Sequence, residues 1–418
     1  MSMFEAEFEK LQLNKVLIVL RSCGSAWQRS FIKGLEQNRA VIDLADPIVR
    51  EQALSYPEEF IRNLAKPSLL YHLQKAPELL PLLAQAKAPA GSFVAVSEQS
   101  YSLLERLGEQ GGEGAKAQGA EGTAVETTAF WQNLALVELP LEEQSRLPFV
   151  PDRASVLNGV QEDGTCIAKD AEQGKNVLES IVVGSLPRQE GLPAQQFYAS
   201  FIQSMVRQRI MEQTTVSDDI KFYRFLCMAA SMTGTVVNYS RLASSVGITA
   251  PTAKQWLQFL AGTGLVYLLQ PLENLGSKRL VKAPKLYFRD TGMAAALLQL
   301  PDAASLRKSV YYKNLFENYV VNEIRESYLE QCQEPKLLFY KDSNYKEISL
   351  ILEVAGKLHP VAITKDEFVL RKLAKDFQLL AGYAQEHGLE LGSSCIIGMG
   401  KPSTLLEQGI YYLAAEKL

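Results

Sequence analysis

YSRLASSVGITAPTAKQWLQFLAGTGLVYLLQ, residues 239–270, is the stretch of this 418-residue sequence that decides the fold of its central region. Its first apolar residues recur at helical spacing until Gly247, which ends that helix because glycine adopts the left-handed conformation at little cost. Thr249 can cap a second helix. An apolar stripe that includes Trp256 and Leu260 continues this second helix. The stretch therefore predicts two helices joined by a tight turn.

Two strand-like runs with a basic turn between them follow the second helix. The first run, LVYLLQPL, begins at Leu265, and the second, KLYFRD, begins at Lys285. Two helices followed by a two-stranded wing predict a winged helix-turn-helix, whose second helix reads base edges while its wing contacts phosphates. The candidate DNA-contacting residues are Thr249, Thr252, Lys254, Gln255, Lys278, Arg279, Lys282 and Lys285.

The charge of this region is compatible with two roles. Residues 239–290 contain seven basic and two acidic side chains, a balance that favours contact with duplex DNA. The second helix itself carries one positive charge, Lys254. That scarcity favours the alternative, a packing module that contacts a protein partner or another copy of the chain.

The overall composition is that of an ordinary soluble protein. Hydrophobic residues make up 47% of the chain, charged residues make up 22%, and the net charge of -4 argues against a dedicated nucleic-acid coat. The five cysteines form no CxxC pair, so we expect a reducing compartment and no zinc framework. An acidic N-terminus and the lack of an apolar run of about 18 residues predict a cytoplasmic protein with no membrane partner.

The N-terminal region, residues 1–147, alternates apolar strand-like runs with helical patterns. Such alternation predicts a parallel sheet with crossover helices. The turn after the first strand is where a phosphate-binding loop belongs in such a fold. The strand-like runs begin at Lys15, Ala40, Pro67, Ser92 and Leu134.

That first turn lacks most of a phosphate-binding loop. A working loop needs a lysine for the phosphates and a hydroxyl for magnesium, and here Gly24 is followed by Ser25 and Ala26. Arg29, the nearest basic residue, comes about one helical turn too late. Gly24 and Arg29 are therefore candidates for a vestigial nucleotide site, although Gly24 has the simpler alternative of a turn residue. We expect no cofactor, and ATP with Mg²⁺ would bind only if this altered loop still holds phosphates.

The remaining chain divides by composition. Residues 107–128 are rich in Gly, Ala, Glu and Gln, which predicts a surface loop inside the first domain. Residues 148–191 are expected to be connecting structure. Residues 192–308 form the helical and winged-helix domain. Residues 309–418 show a helix, three strands, a helix and a strand, the order of a small α/β domain.

The whole chain resembles the prokaryotic AAA-like ATPases whose C-terminal region joins a winged helix to a restriction-endonuclease-like (PD-(D/E)xK) domain. The similarity rests on IDLADPIVREQALSYPEEFI, GITAPTAKQWLQFLAGTGLVYLLQ, NLFENYVVNEI, and FYKDSNYKEISLILE followed by HPVAIT. The resemblance implies an α/β fold class with three parts. These are a P-loop NTPase-like parallel sheet domain, a helical and winged-helix domain, and a small restriction-endonuclease-like α/β domain.

The sequence departs from this family in the ATPase centre. In the family, a Walker A lysine and hydroxyl, a Walker B acidic pair, an arginine and a sensor residue bind and hydrolyse ATP. The residues at these positions are Ser25, Ala26, Tyr71, His72, Asn133 and Val96. The resemblance therefore implies degenerate Walker A and Walker B motifs and no ATP hydrolysis.

The nuclease-like centre departs from the family as well. Glu317 on the helix and Glu347 are retained, but Ser349 stands at the metal-binding aspartate. Ala362 and Thr364 stand where the family has the glutamate and lysine of its third strand. We therefore expect no catalytic residue and no metal site, only the vestigial Glu317 and Glu347.

The joint loss of two catalytic centres from an intact apolar framework predicts a pseudoenzyme. The leading hypothesis is a catalytically inactive AAA-family relative that acts as a binding or scaffolding protein, with the winged helix as its first candidate surface. The alternatives are a DNA-binding protein and a weakly ATP-binding ATPase of the same family.

Overall fold

The structure is a computed structural model whose residues cluster into two compact units. The units are Met1–Pro148 with Leu257–Leu265 and Glu326–Glu334, and Phe149–Trp256 with Val266–Arg325 and Pro335–Leu418. The residues that the structure describes are 3–12, 16–20, 26–85, 92–97, 134–138, 148–149, 151, 176–186, 192–205, 219–272, 281–342, 346–365, 376–399, 404–405 and 410–418.

The first unit is built on a five-stranded parallel sheet. Its strands are β1 (Val16–Leu20), β2 (Ala40–Asp43), β3 (Ser68–Tyr71), β4 (Phe93–Ser97) and β5 (Leu134–Glu138). Their order is β2-β3-β4-β1-β5, and every pairing is parallel. The predicted parallel sheet is therefore confirmed.

Helices bury both faces of this sheet, which is why its strands are continuous apolar runs. The helices are α1 (Met3–Gln12), α2 (Ala26–Glu36), α3 (Pro47–Ser55), α4 (Pro57–Asn63) and α5 (Leu80–Gln85). Neighbouring residues of β3 point to opposite faces of the sheet. Leu69 therefore packs in a cluster with α1 and α2, and Leu70 packs in a cluster with α3, α4 and α5.

From residue 176 onward the chain combines helices with a second sheet. The helices are α6 (Val177–Val183), α7 (Ala194–Met205), α8 (Asp219–Ser231), α9 (Tyr239–Val246), α10 (Ala250–Gly262), α11 (Thr291–Leu297), α12 (Ala303–Lys308), α13 (Tyr312–Leu329) and α14 (Leu379–Glu386). Helix α6 lies in the stretch that the sequence predicts to be connecting structure. It packs on α11 and buries Val177, Leu178, Ile181 and Val182. A helix of two turns is too short to show a clear periodic pattern.

Helices α9 and α10 lie where the sequence predicts two helices joined by a tight turn. Gly247 ends α9 in the left-handed conformation, with φ of 75°. The Thr249 hydroxyl accepts a hydrogen bond from the Thr252 N–H at 3.2 Å. The Trp256 ring packs on two phenylalanine rings of α8, with centroids 5.1 and 5.3 Å away.

A hairpin follows α10. Its strands β7 (Val266–Pro271) and β8 (Lys285–Phe288) pair antiparallel, and β6 (Thr235–Val236) pairs with the other edge of β8. The predicted basic turn of the wing, residues 276–279, lies outside the described residues.

The hairpin belongs to a larger mixed sheet of the second unit. Its other strands are β9 (Lys336–Lys341), β10 (Glu347–Val354), β11 (Lys357–Ile363), β12 (Glu390–Leu391), β13 (Ser394–Gly398), β14 (Thr404–Leu405) and β15 (Ile410–Ala414). The strand order is β14-β15-β13-β11-β10-β9-β7-β8-β6, with β12 beside β11. Parallel pairing of β7 with β9, with Gln270 beside Leu338, joins the two regions that the sequence predicts as separate domains.

Two segments named in the sequence predictions lie wholly or mostly outside the described residues. The Gly-rich loop, residues 107–128, lies outside the described residues, as does most of 148–191. None of the helices in the described ranges is long and apolar enough to cross a membrane.

Candidate functional site

A buried lysine links three elements of the second unit. Lys285 on β8 places its Nζ 2.7 Å from an oxygen of Glu317 on α13 and 2.5 Å from an oxygen of Glu347 on β10. Lys341 on β9 places its Nζ 2.7 Å from the other Glu347 oxygen. The Lys285 side chain is only 1% exposed, so its ammonium depends on these carboxylates in place of water. These four residues are called the Lys285 cluster below.

Two aromatic side chains complete the surroundings of this cluster. The Tyr287 hydroxyl donates a hydrogen bond to the same Glu317 oxygen at 2.7 Å. The Lys285 Nζ lies 5.3 Å from the centroid of the Phe339 ring, within the range of a cation–π contact. The ammonium is therefore enclosed by two carboxylates and an aromatic face.

The charges of the cluster sustain one another. Burial lowers the pKa of Lys285, but the Glu317 and Glu347 charges outweigh burial and raise that pKa above its ordinary value. Burial likewise opposes the ionisation of Glu347, but the Lys285 charge and hydrogen bonds from Lys285 and Lys341 lower its pKa to about 2. Burial and the Glu317 charge hold the pKa of Tyr287 well above its usual range, so the phenol keeps its proton.

Lys285 contradicts the predicted DNA surface. The sequence prediction places it among wing cations that contact phosphates, but its ammonium is buried and paired twice. A phosphate contact needs an ammonium that reaches the surface. The pattern misled because a lysine in KLYF resembles the solvent-facing residue of a half-buried strand, whereas β8 has neighbours at both edges and is buried along its whole length.

The residues that the sequence resemblance aligns with a nuclease centre do not fit the Mg²⁺ that the resemblance implies. The Lys285 ammonium lies between Glu317 and Glu347 and is paired with both carboxylates. The Ser349 hydroxyl accepts a hydrogen bond from the Ile363 N–H at 3.3 Å. Over the described ranges, no three His, Cys, Asp or Glu side chains lie close enough together to hold a metal ion.

The start of α10 presents polar side chains to solvent. Thr249, Lys254 and Gln255 are exposed, and Thr252 is half-buried. The hydroxyls of Thr249 and Thr252 lie 2.8 Å apart, so the helix cap uses part of their hydrogen-bonding capacity. Lys282, which precedes β8, is exposed as well. The predicted wing residues outside the described ranges are Lys278 and Arg279.

At the carboxyl end of β3, the two residues that the sequence resemblance aligns with a Walker B acidic pair contact other carboxylates. Tyr71 donates its hydroxyl to Glu36 at 2.7 Å, and the His72 Nδ1 lies 2.6 Å from an Asp43 oxygen. Burial raises the pKa of Asp43, but hydrogen bonds from the Ala45 N–H and His72 outweigh it and lower that pKa. A phenol and an imidazole committed in this way do not fit the Mg²⁺ of a bound nucleotide.

The predicted nucleotide residues lie at the edge of what can be described. Gly24 falls outside the described residues. Arg29 lies in α2, but its side chain is outside the described part. Val96, at the family's sensor position, is a buried residue of β4 with 1% exposure and no polar group.

Two asparagines of α13, next to Glu317 of the Lys285 cluster in the chain, bind the backbone of β8, and the sequence prediction does not include them. The Asn318 amide pairs with Phe288 of β8 in both directions, accepting from its N–H at 2.9 Å and donating to its carbonyl at 2.7 Å. Asn322 donates to the carbonyls of Phe288 and Arg289, each at 2.8 Å. In NLFENYVVNEI, Asn318 and Asn322 are four residues apart, so their side chains share one face of the helix. This spacing could have indicated that both amides contact the same neighbouring element.

Comparisons with known proteins connect the chain to uncharacterised families. A family model described as a domain of unknown function (DUF8612) matches residues 175–304, and another domain of unknown function (DUF4143) matches residues 312–416. Uncharacterized proteins of Mycobacterium bovis and Mycobacterium tuberculosis are each similar at 29% identity over 132 residues, which is 31% of this chain and 29% of the relative. The chain thus aligns with less than a third of each of these relatives. No solved structure matches.

Proposed function

We propose that this protein is a catalytically inactive relative of the AAA-like ATPases that acts by binding, as a scaffold for a partner. The observation that carries the proposal is the Lys285 cluster. The Lys285 ammonium stands between Glu317 and Glu347. In the nucleases that the sequence resembles, the residues at these positions would hold a metal ion. A centre of this type cannot generate an attacking hydroxide without its metal.

The parallel-sheet unit supports the same proposal independently. ATP hydrolysis needs acidic residues at the end of the third strand to hold magnesium and orient water. Tyr71 and His72 stand there and are bound to Glu36 and Asp43. Apolar clusters cover both faces of the sheet, so its packing does not depend on acidic residues at this position.

Two assays test the absence of catalysis. Titration with a fluorescent ATP analogue and Mg²⁺, followed by a phosphate-release assay, should show no turnover. Duplex DNA incubated with the protein and Mn²⁺ should remain intact. Turnover that Arg29→Ala abolishes would favour the alternative of a weakly ATP-binding ATPase. Cleavage that Glu347→Gln abolishes would refute the proposal.

A second candidate function is duplex DNA binding, with α9, α10 and the hairpin acting as a winged helix. The observation that favours it is the exposure of Thr249, Lys254 and Gln255 together on the first turns of α10, with Lys282 also exposed beside β8. In a helix-turn-helix these turns enter the major groove. Lys285 takes no part, because it is buried.

Salt dependence tests this second function. Lys254→Ala with Lys282→Ala should weaken duplex binding uniformly across sequences and reduce the slope of log affinity against log salt by about 2. Lys278→Ala with Arg279→Ala should act in the same way. Lys336→Ala with Lys357→Ala, which removes two partly exposed cations elsewhere in the unit, is the matched control. Failure of the protein to bind duplex at about 50 mM salt, where phosphate contacts are least screened, would exclude DNA binding.

A further inference from the structure

A basic and aromatic turn connects α12 to α13, within the sequence LRKSVYYKN. It lies at the junction between the segments that the two family models match, which end at 304 and begin at 312. Helix α12 ends at Lys308 and α13 begins at Tyr312. The surface called the 307–313 turn below comprises Arg307, Lys308, Val310, Tyr311, Tyr312 and Lys313, together with Lys365.

The 307–313 turn carries several exposed positive charges, and its two tyrosines are half-buried. Arg307, Lys308 and Lys313 are exposed and form no salt bridge with any described residue. Residues 303–316 contain no carboxylate. The acidic residues that flank this run in the sequence are Asp302 and Glu317. The pKa of Asp302 is lowered mainly by hydrogen bonds from Ser305 and slightly by the Lys308 charge.

The needs of the fold do not account for this charge. Cations suit the last turn of a helix, so Arg307 and Lys308 can stabilise α12. Lys313 lies in the first turn of α13, where a cation opposes the helix dipole and where no acidic residue compensates. The positive charge of Lys313 is therefore a cost to α13 that a negatively charged ligand would offset.

Val310 is equally unexplained by packing. It is 86% exposed, the highest value among the exposed large hydrophobic residues that the structure describes. The turn that presents it is fixed, because the Ser309 hydroxyl accepts a hydrogen bond from the Tyr311 N–H at 3.0 Å and the Ser309 carbonyl accepts one from the Tyr312 N–H at 3.3 Å. A single exposed apolar side chain is ordinary on a protein surface. Val310 is of interest because it follows two exposed cations, Arg307 and Lys308, and precedes Tyr311 on this turn.

The fold brings a further cation to this turn from a distant part of the chain. Lys365 follows β11, and its Nζ lies 5.5 Å from the centroid of the Tyr312 ring, in a cation–π contact. The positive surface is therefore assembled by tertiary structure and is more than a local run of basic residues.

We propose that the 307–313 turn binds single-stranded nucleic acid. Proteins that bind single strands combine cations that follow the phosphates with aromatic and apolar side chains that contact the bases. Arg307, Lys308 and Lys313 supply the phosphate contacts, and Tyr311 with Val310 supplies the base contact. This ligand goes beyond the proposed scaffold function and does not involve the Lys285 cluster.

Fluorescence anisotropy of the full-length protein with a labelled oligothymidylate tests the proposal. We expect binding at about 50 mM salt that weakens as salt rises. Arg307→Ala with Lys308→Ala and Lys313→Ala should weaken binding at least about tenfold and reduce the salt slope by about 2, because each single-strand phosphate contact contributes about 0.7. Tyr311→Ala should weaken binding while leaving the salt slope unchanged, because a base contact releases no counterions.

Two controls keep the test decisive. Lys336→Ala with Lys357→Ala, which removes two partly exposed cations elsewhere in the second unit, should leave oligothymidylate binding unchanged, and circular dichroism should show that every variant is folded. Absence of binding by the wild type, or equal affinity of the folded triple variant, would overturn the proposal. So would binding to anionic phospholipid vesicles, lost in Val310→Ser, in a protein that does not bind the oligonucleotide. Because these readouts concern binding alone, an unexpected ATPase activity would refute the scaffold proposal and leave this one standing.

Discussion

Lys285 is buried and ties β8 to two other elements of the second unit through its ion pairs. It is 1% exposed, and its charge is balanced by Glu317, which is also buried, and by the half-buried Glu347. Removing one member of a buried ion pair costs more than the pair contributes, because the remaining charge stays buried without its partner. A substitution that removes one charge of the cluster should therefore destabilise the fold more than a double substitution that removes a cation and its carboxylate partner together.

Lys285→Met should lower the free energy of unfolding by about 3–5 kcal/mol, because it leaves the buried Glu317 side chain without its cationic partner. Lys285→Met with Glu317→Gln should recover part of that loss, because the carboxylate is neutralised together with its partner. Urea denaturation followed by circular dichroism measures both. A loss below about 1 kcal/mol for the single variant would mean that the ammonium is not required.

Lys285→Ala should open a cation site that the wild type lacks. The truncated side chain leaves two carboxylates facing the vacated space, and divalent cations prefer oxygen ligands. Mn²⁺ should raise the melting temperature of this variant and leave the wild type unchanged, as measured by thermal denaturation. Adding Glu347→Gln to Lys285→Ala should abolish the rise. Equal Mn²⁺ stabilisation of the wild type would contradict the assignment of Lys285 as the resident cation.

Glu347 should make stability depend on acid pH in a defined direction. Its pKa is lowered from 4.5 to about 2 in the folded protein, so ionised Glu347 stabilises the fold above about pH 4.5. This contribution disappears as the pH falls through the folded pKa. The difference in unfolding free energy between the wild type and Glu347→Gln should therefore shrink from about pH 5.5 to about pH 3. A constant difference over that interval would show that the carboxylate charge does not contribute.

At the scale of elements, the helix–turn–helix depends on a single backbone conformation. Gly247 has φ of 75°, and a Cβ added there would meet nothing within 4 Å. A substitution at Gly247 therefore costs backbone strain and no steric clash. The direction of α10, and with it the surface formed by Thr249, Lys254 and Gln255, follows from this turn.

Gly247→Ala should destabilise the protein by about 1–2 kcal/mol, the cost of a left-handed conformation for a residue with a Cβ. Gly382→Ala is the matched control, because Gly382 lies inside α14 with equal open space and no positive φ. That change should stabilise the protein by about 0.5–1 kcal/mol. Chemical denaturation of both variants gives the comparison, and a Gly247→Ala protein as stable as the control would show that the turn can relax.

The elements differ in how far the sequence could predict them. All five strands of the parallel sheet and the α9–α10 turn were predicted, because buried apolar runs and a glycine stop are local signals. The burial of Lys285 was not predicted, because it follows from pairing β8 at both edges and from carboxylates 32 and 62 residues further along the chain. The parallel pairing of β7 with β9 was not predicted for the same reason, because strand pairing between distant segments leaves no local sequence pattern.

At the scale of the whole molecule, the second unit unites two segments that separate family models match. Strands β7 and β9 join them in one sheet, Asn318 and Asn322 of α13 bind the backbone of β8, and Lys285 ties β8 to α13 and β10. The interactions between these segments are therefore hydrogen bonds and ion pairs inside a core, which differ from the polar contacts of loosely associated domains.

The two segments should consequently unfold as one cooperative unit. In native-state hydrogen exchange, the slowest amides of β8 and of β10 should open with the same free energy, because neither strand can leave the sheet alone. Lys285→Met should lower both opening free energies equally, and Lys357→Ala, which removes an exposed ion pair with Glu390, should change neither. If Lys285→Met lowered the value for β8 while β10 kept its protection, the segments would be independent domains, and the Lys285 cluster would be a local contact between them.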